Sequence, residues 1–135
     1  MSTLKVTNIQ DTSGSHSSTS AEIYDGRAKA WVEFNGTGTI AIRDDYNVST
    51  IGDNGAGDYT INFSTQMANA NYAKSGASPL HAGGAWTTVY FDAMSSDPYS
   101  QAPTTSNCRV CISYSGTALN TNDSSRVSVL IWSTG

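Results

Sequence analysis

Apolar and polar residues alternate over residues 26–63, and turns rich in Gly, Asn and Asp interrupt the alternation. In the first run, Ala30, Val32 and Phe34 share one face, while Trp31 and Glu33 share the other. A side-chain period of two is typical of strands that bury one face. Asn and Gly tolerate the positive φ angles that tight hairpin turns require. The pattern therefore predicts a β-meander.

Short alternating runs recur in the second half of the chain, at residues 69–74, 86–92, 108–114 and 126–132. Loops rich in Gly, Ser and Pro separate them, and regularly spaced short strands of this kind favour a sandwich. We therefore predict an all-β fold, an antiparallel β-sandwich of about seven to nine short strands. Its domain comprises residues 26–135.

Residues 1–25 differ from the rest in being polar and poor in apolar side chains. Leu4 and Val6 lie on one face of a predicted short strand over residues 5–10, and residues 11–20 are expected to be extended or loose. The spacing of Thr19 and Glu22 is that of a capping box, which predicts one helical turn over residues 20–25, ended by Gly26. We expect an extended N-terminal arm that neighbouring chains hold in place.

The last predicted strand is apolar on both faces. Val127, Val129 and Ile131 share one face, and Leu130 and Trp132 share the other. A single sandwich covers one face of each strand, so the second apolar face needs another cover. Trp31 likewise lies on the outer face of its own strand and also needs a cover. Contact between subunits is one answer, and an N-terminal arm folded over the sheet is the other.

The run GRAKAWVEFNGTGTIAIRDDYNVSTIGDNGAGDYTINF and the STQMANANYA that follows it resemble the C-terminal domain of bacteriophage tail-fibre proteins, especially those of marine phages. The opening LKVTNIQDTSG is similar to the segment that precedes this domain, so the resemblance covers residues 4 to about 73. The family often has Asn where this chain has Glu33, and a Ser-Phe-like pair near Asp45-Tyr46.

This resemblance implies a homotrimeric, β-rich part of the virion that touches the host surface and is made in the infected cell. The arm would then attach the domain to other virion proteins. The candidate residues of the trimer interface combine the arm with the outward apolar positions; they are Leu4, Val6, Trp31, Leu130 and Trp132.

Charge and hydropathy argue against several other partners. The formal net charge is −4 with no cluster of Lys or Arg, whereas a nucleic-acid partner requires a basic face. No stretch approaches the ~20 apolar residues that span a bilayer, which argues against membrane insertion. The opening MSTLKVTNIQ lacks the apolar core of a secretory signal, which predicts synthesis in a cytoplasm.

The sequence offers few candidates for metal or redox chemistry. Cys108 and Cys111 have CxxC spacing, but residues three apart in a strand face opposite sides, so we expect two reduced, structural thiols. His81 could meet its copies on a threefold axis, although an isolated His is a weak sign of a metal ligand. The run DNGAGD fails the spacing of a calcium loop, and turn formation explains its Asp and Asn residues. We expect no metal and no cofactor.

Recognition of a cell-surface glycan or protein is the predicted function, without catalysis, because no pair of carboxylates stands out as glycosidases require. Aromatic rings on polar loops can stack on sugar rings. Tyr99 is the leading candidate, together with Asp97, Gln101 and Trp86, although core or interface packing is the preferred interpretation of Trp86. A purely structural capsid or tail decoration is the alternative, and a glycan-degrading tip enzyme ranks below both.

Overall fold

The computed structural model describes residues 1–80, 86–92, 101–114 and 121–134. Within these ranges the chain forms ten strands and one helix: β1 (Asn8–Gln10), β2 (Ser17–Thr19), α1 (Ser20–Gly26), β3 (Ala30–Asn35), β4 (Ala41–Tyr46), β5 (Val48–Gly55), β6 (Asp58–Phe63), β7 (Ala73–Ala77), β8 (Thr87–Phe91), β9 (Asn107–Tyr114) and β10 (Val127–Trp132).

Eight of these strands form two four-stranded antiparallel sheets. The first sheet has the order β4-β3-β10-β7 and the second has the order β5-β6-β9-β8. One hydrophobic core joins their inner faces. At its centre the ring of Phe34 meets the ring of Tyr59 edge to face, with centroids 5.1 Å apart. The all-β, antiparallel part of the prediction is confirmed.

The inward positions of β3 and β10 are the ones that the alternation predicts. Val32 and Phe34 are buried on β3, and Val127, Val129 and Ile131 are buried on β10. Because β10 lies between β3 and β7, its backbone is hydrogen-bonded on both sides. Burial of apolar surface contributes about 25 cal/mol per Å² to the stability of the fold, and the inner face of β10 stabilises the packing of the first sheet against the second in this way.

The predicted meander is wrong, because residues 26–63 form two hairpins that belong to different sheets. The β3–β4 hairpin is in the first sheet, and the β5–β6 hairpin is in the second. The chain crosses at Asn47, whose φ of 58° is in the left-handed region that Asn tolerates. Its side-chain amide donates to the carbonyl oxygens of Lys29 and Thr65, both at 3.1 Å, and so fixes this corner.

The N-terminal region confirms the predicted helix and adds a strand pairing that was not predicted. Thr19 caps α1, and the carboxylate of Glu22 accepts from the backbone N–H of Thr19, which lowers the pKa of the Glu22 carboxyl. Residues 11–20, predicted to be extended or loose, contain the extended strand β2, whose pairing with β1 was not predicted. The predicted strand over residues 5–10 shortens to β1. All residues from 1 to 27 are exposed.

The strands of the second half lie close to their predicted positions, with one displaced. β8, β9 and β10 lie within one residue of the predicted bounds at each end. The strand predicted at residues 69–74 is displaced to Ala73–Ala77, because the carboxamide oxygen of Asn69 accepts from the N–H of Asn71 and starts a turn. Tyr72 is buried instead, and its hydroxyl reaches the carbonyls of Thr104 and Asn107.

A buried ion pair lies on the side of β6 opposite the core. It contains Asp58, for which the sequence predicted a role in turn formation. Asp58 is fully buried and accepts from Nε of Arg109 at 2.6 Å and from its Nη2. Asp58 also accepts from the side-chain amide of Asn54 across the β5–β6 turn at 3.4 Å, so its turn role is accompanied by an ion pair. The ion pair was not predicted because Arg109 is on another strand, far along the chain.

The Asp58–Arg109 pair yields a stability prediction. Asp58→Ala removes the carboxylate that compensates a largely buried guanidinium, so we expect a loss of about 3–5 kcal/mol in the free energy of unfolding, measured by urea denaturation. Glu33→Ala is the control, since Glu33 pairs with Arg126 at the surface, where such pairs contribute below about 1 kcal/mol. Equal losses of unfolding free energy in the two variants would contradict the conclusion that the Asp58–Arg109 pair is a buried, stabilising interaction.

Gly36 yields a second stability prediction. A Cβ at this position would lie 2.3 Å from the hydroxyl oxygen of Tyr59, which itself donates to the Gly36 carbonyl. Because the crowded ring is buried in the core, we expect Gly36→Ala to lower the free energy of unfolding by about 1–3 kcal/mol. Gly26→Ala is the matched control, with no heavy atom within 4 Å, and should change it by less than about 0.5 kcal/mol.

Candidate functional site

A row of large apolar side chains crosses the outer face of the first sheet. Leu130 on β10 lies opposite Trp31 on β3, and Trp31 lies opposite Tyr46 on β4. Trp132 is two residues beyond Leu130 on the same side. We call these four residues the Trp31 face. The prediction that β10 is apolar on both faces is confirmed.

The Trp31 face is open to solvent in the single chain. Leu130 is 40% exposed and Tyr46 is 47% exposed, while Trp31 and Trp132 are half-buried. The N-terminal residues, which could have folded over the sheet, are themselves exposed and leave Leu130 and Tyr46 uncovered. The N-terminal arm of the same chain therefore does not cover this face, and contact between subunits is the remaining one of the two explanations.

Charged residues of both signs lie beside the Trp31 face. Glu33 follows Trp31 two positions along β3, and its register partners are Asp44 and Ser128. Its carboxylate forms an ion pair with Arg126, 3.0 Å from Nε, and lies 3.7 Å from Nη1 of Arg43. An apolar row with a mixed-charge margin has the composition of a protein contact surface, in which an apolar centre is surrounded by a polar rim.

Tyr46 is the member of this face that the alternation did not identify. Ile42 packs against the core, and in a regular strand every second residue faces the same side, so Tyr46 would also face the core. A β-bulge shifts the β3–β4 register between Glu33 and Phe34, so the positions after the bulge change sides. An irregularity in the spacing of polar residues around Arg43 is the only trace of this bulge in the sequence.

The other predicted interface residues are in the N-terminal region. Leu4 and Val6 are exposed in the segment before β1. The structure therefore brings together Trp31, Leu130 and Trp132 but leaves Leu4 and Val6 on a separate exposed segment.

The predicted receptor site is only partly within the described residues. Tyr99 and Asp97 are outside them, as is His81. Trp86 immediately precedes β8 and is 82% exposed, so the interpretation as a core residue is wrong, and interface or ligand contact remains. Gln101 is exposed, and its amide lies 3.5 Å from the carboxamide oxygen of Asn107.

The two cysteines occupy opposite sides of β9, as predicted. Cys108 faces the core, and its burial raises the pKa of its thiol to about 12. Cys111 faces the other way, with its sulfur 3.5 Å from a carboxylate oxygen of Asp58. Neither forms a disulfide. A thiol with such a high pKa is a poor nucleophile and a poor metal ligand at neutral pH.

The Asp and Asn side chains of the β5–β6 turn have structural partners. Asp53 accepts from the N–H of Gly55, and Asn54 donates to the hydroxyl of Thr60 at 2.9 Å. The turn prediction is confirmed for these two residues. Across the described ranges, no three His, Cys, Asp or Glu side chains are grouped so that they could hold a metal ion.

Neither family models, nor curated proteins, nor solved structures give a match to this chain. In the part of the chain that the structure describes, no helix has both the length and the apolar character needed to cross a membrane.

Proposed function

We propose that this chain is a non-catalytic adhesion domain of a phage virion appendage of the tail-fibre kind, which assembles as a homotrimer and binds a glycan or protein on the host surface. Residues 4 to about 73 resemble tail-fibre domains, and this resemblance supports both a place in a phage virion and a homotrimeric state. The uncovered Trp31 face is the structural observation on which the proposal rests.

A second copy of the chain is the partner that fits the Trp31 face best. An exposed apolar row next to a polar margin marks a contact surface. That margin contains an acidic residue, Glu33, between two arginines, so copies related by a rotation axis can place opposite charges against each other. The half-buried state of Trp31 also leaves the ring little conformational freedom to lose on association.

The described carboxylates favour binding over hydrolysis. Asp58 is held by Arg109, Asp92 by Lys74, and Glu33 by Arg126. A glycosidase acid lies in an apolar niche beside the bond that it cleaves, whereas each of these carboxylates is engaged by a basic side chain of the same chain. These pairs support a structural role for the carboxylates concerned.

Adhesion by a trimer needs only weak individual sites. Three sites on one rigid particle raise the effective concentration of the second and third contacts. A site of millimolar affinity, equivalent to about −4 kcal/mol, is then sufficient for attachment. Assembly and recognition are therefore coupled in this proposal.

The assembly half of the proposal predicts a trimeric mass in solution that depends on the Trp31 face. We expect Leu130→Asp to give monomers, because it places a charge in the apolar row, whereas Tyr90→Asp should leave the trimer intact. Tyr90 is a matched control because it is 47% exposed on β8 of the other sheet. Multi-angle light scattering measures the mass, and circular dichroism checks the fold. A wild-type chain that is monomeric at micromolar concentration would overturn the assembly.

The recognition half predicts binding to an array of bacterial surface polysaccharides and whole cells. We expect the trimer to bind at least one member, and the monomeric Leu130→Asp variant to bind it about 10²-fold or more weakly, because avidity is lost. Tyr99→Ala on the intact trimer tests the leading candidate from the sequence. A trimer that binds no cell and no polysaccharide would favour the purely structural decoration.

A further inference from the structure

A cleft of about 400 Å³ lies beside α1 at the corner where the chain changes sheets. Tyr24 of α1 lines one side, and Tyr46 and Asn47 line the corner itself. The turn after β6, at residues 64–68, also lines the cleft. A space of this volume is within the usual range for small-molecule sites.

The charged residues that line the cleft are both cations, although the whole chain has a net charge of −4. Arg27 lies with its guanidinium carbon 4.7 Å from the centre of the Tyr24 ring, and the Lys29 ammonium lies 3.2 Å from the same point. The Lys29 ammonium also donates to the Tyr24 carbonyl. Within the described ranges, neither cation forms an ion pair. The cleft is therefore a local positive site.

The corner wall of the cleft is held in place by hydrogen bonds that need no ligand. The carboxamide oxygen of Asn47 accepts from the N–H of Thr65 at 2.7 Å, and its amide donates to the carbonyls of Thr65 and Lys29. These three bonds tie the corner to the turn after β6 and to the residue before β3. Preorganised walls reduce the entropy lost when a ligand binds.

We propose that this cleft binds a saccharide that carries a carboxylate, such as a uronic or nonulosonic acid residue of a surface polysaccharide. The inference rests on the adhesive function proposed above and names its ligand. The Arg27 guanidinium can pair with the carboxylate through two parallel hydrogen bonds. The rings of Tyr24 and Tyr46, each nearly half exposed, offer apolar surface to the C–H groups of the sugar. Gln66 and Ser64 supply partners for its hydroxyl groups.

The two tyrosines distinguish this ligand from a simple anion. Inorganic phosphate would use the cations but gain nothing from apolar rings, whereas a pyranose presents both polar and apolar surfaces. Tyr46 also belongs to the Trp31 face, so a substitution there could affect assembly. Arg27 precedes the first strand of the sandwich and is not part of that face, which makes it the residue to change.

The test is a calorimetric or NMR titration of the full-length chain with galacturonate, glucuronate and N-acetylneuraminate oligosaccharides. Their neutral methyl esters and inorganic phosphate serve as matched probes. We expect at least one acidic saccharide to bind about tenfold or more tightly than its ester, as the loss of a charged hydrogen bond predicts. Affinity should fall in the order wild type, Arg27→Lys, Arg27→Gln, Arg27→Glu.

Lys5→Glu is the control for the overall field, because it changes the net charge by the same amount as Arg27→Glu at an exposed position before β1, outside the cleft. It should leave the affinity within about twofold of the wild type. The inference is overturned if no acidic saccharide binds, if the esters or phosphate bind equally well, or if both Glu variants weaken binding equally. Light scattering on the same samples reports assembly separately, so a failure of the trimer and a failure of the cleft are distinguishable.

Discussion

The contact between the inner faces of β3 and β10 and the second sheet determines most of what this protein presents to its surroundings. Phe34 meets Tyr59 edge to face, and the buried Tyr59 hydroxyl donates to the carbonyl of Gly36 and to the carboxylate of Asp123. The ring is thereby fixed by packing and by polar contacts. Because side chains alternate along a strand, fixing the inner residues forces Trp31 and Leu130 outward.

Two irregularities near the β4–β5 corner place the rest of the candidate surface. The bulge after Glu33 turns Tyr46 to the outer side of the sheet, and the left-handed backbone at Asn47 sends the chain into the other sheet. Without the bulge, Tyr46 would point toward the core. Without the corner, the turn after β6 would not approach Arg27. The apolar face and the positive cleft therefore share a border at Tyr46.

The features that could be predicted from the sequence are those that depend on neighbours along the chain. The cap of α1 follows from Thr19 and Glu22, three residues apart, and the two-sided character of β10 follows from its alternation. The pairing of β2, the outward turn of Tyr46 and the burial of Asp58 depend on partners that no local pattern identifies. The same holds for the cleft, whose lining comes from four separate segments.

The outer faces of the two sheets differ at their central strands, which are β3 and β10 in the first sheet and β6 and β9 in the second. On the second sheet, Arg109 covers Asp58, and Cys111 packs against the same carboxylate, so its buried polar groups are satisfied within the chain. On the first sheet, the two central strands instead carry the half-buried Trp31 and the exposed Leu130, whereas the exposed Tyr90 of the second sheet lies on its edge strand β8. Water contact at this apolar surface is unfavourable in proportion to its area, and a second copy of the same surface removes that penalty for both chains. The assembly proposed above therefore uses the apolar centre of the first sheet, whereas the centre of the second sheet is an ion pair that the chain satisfies by itself.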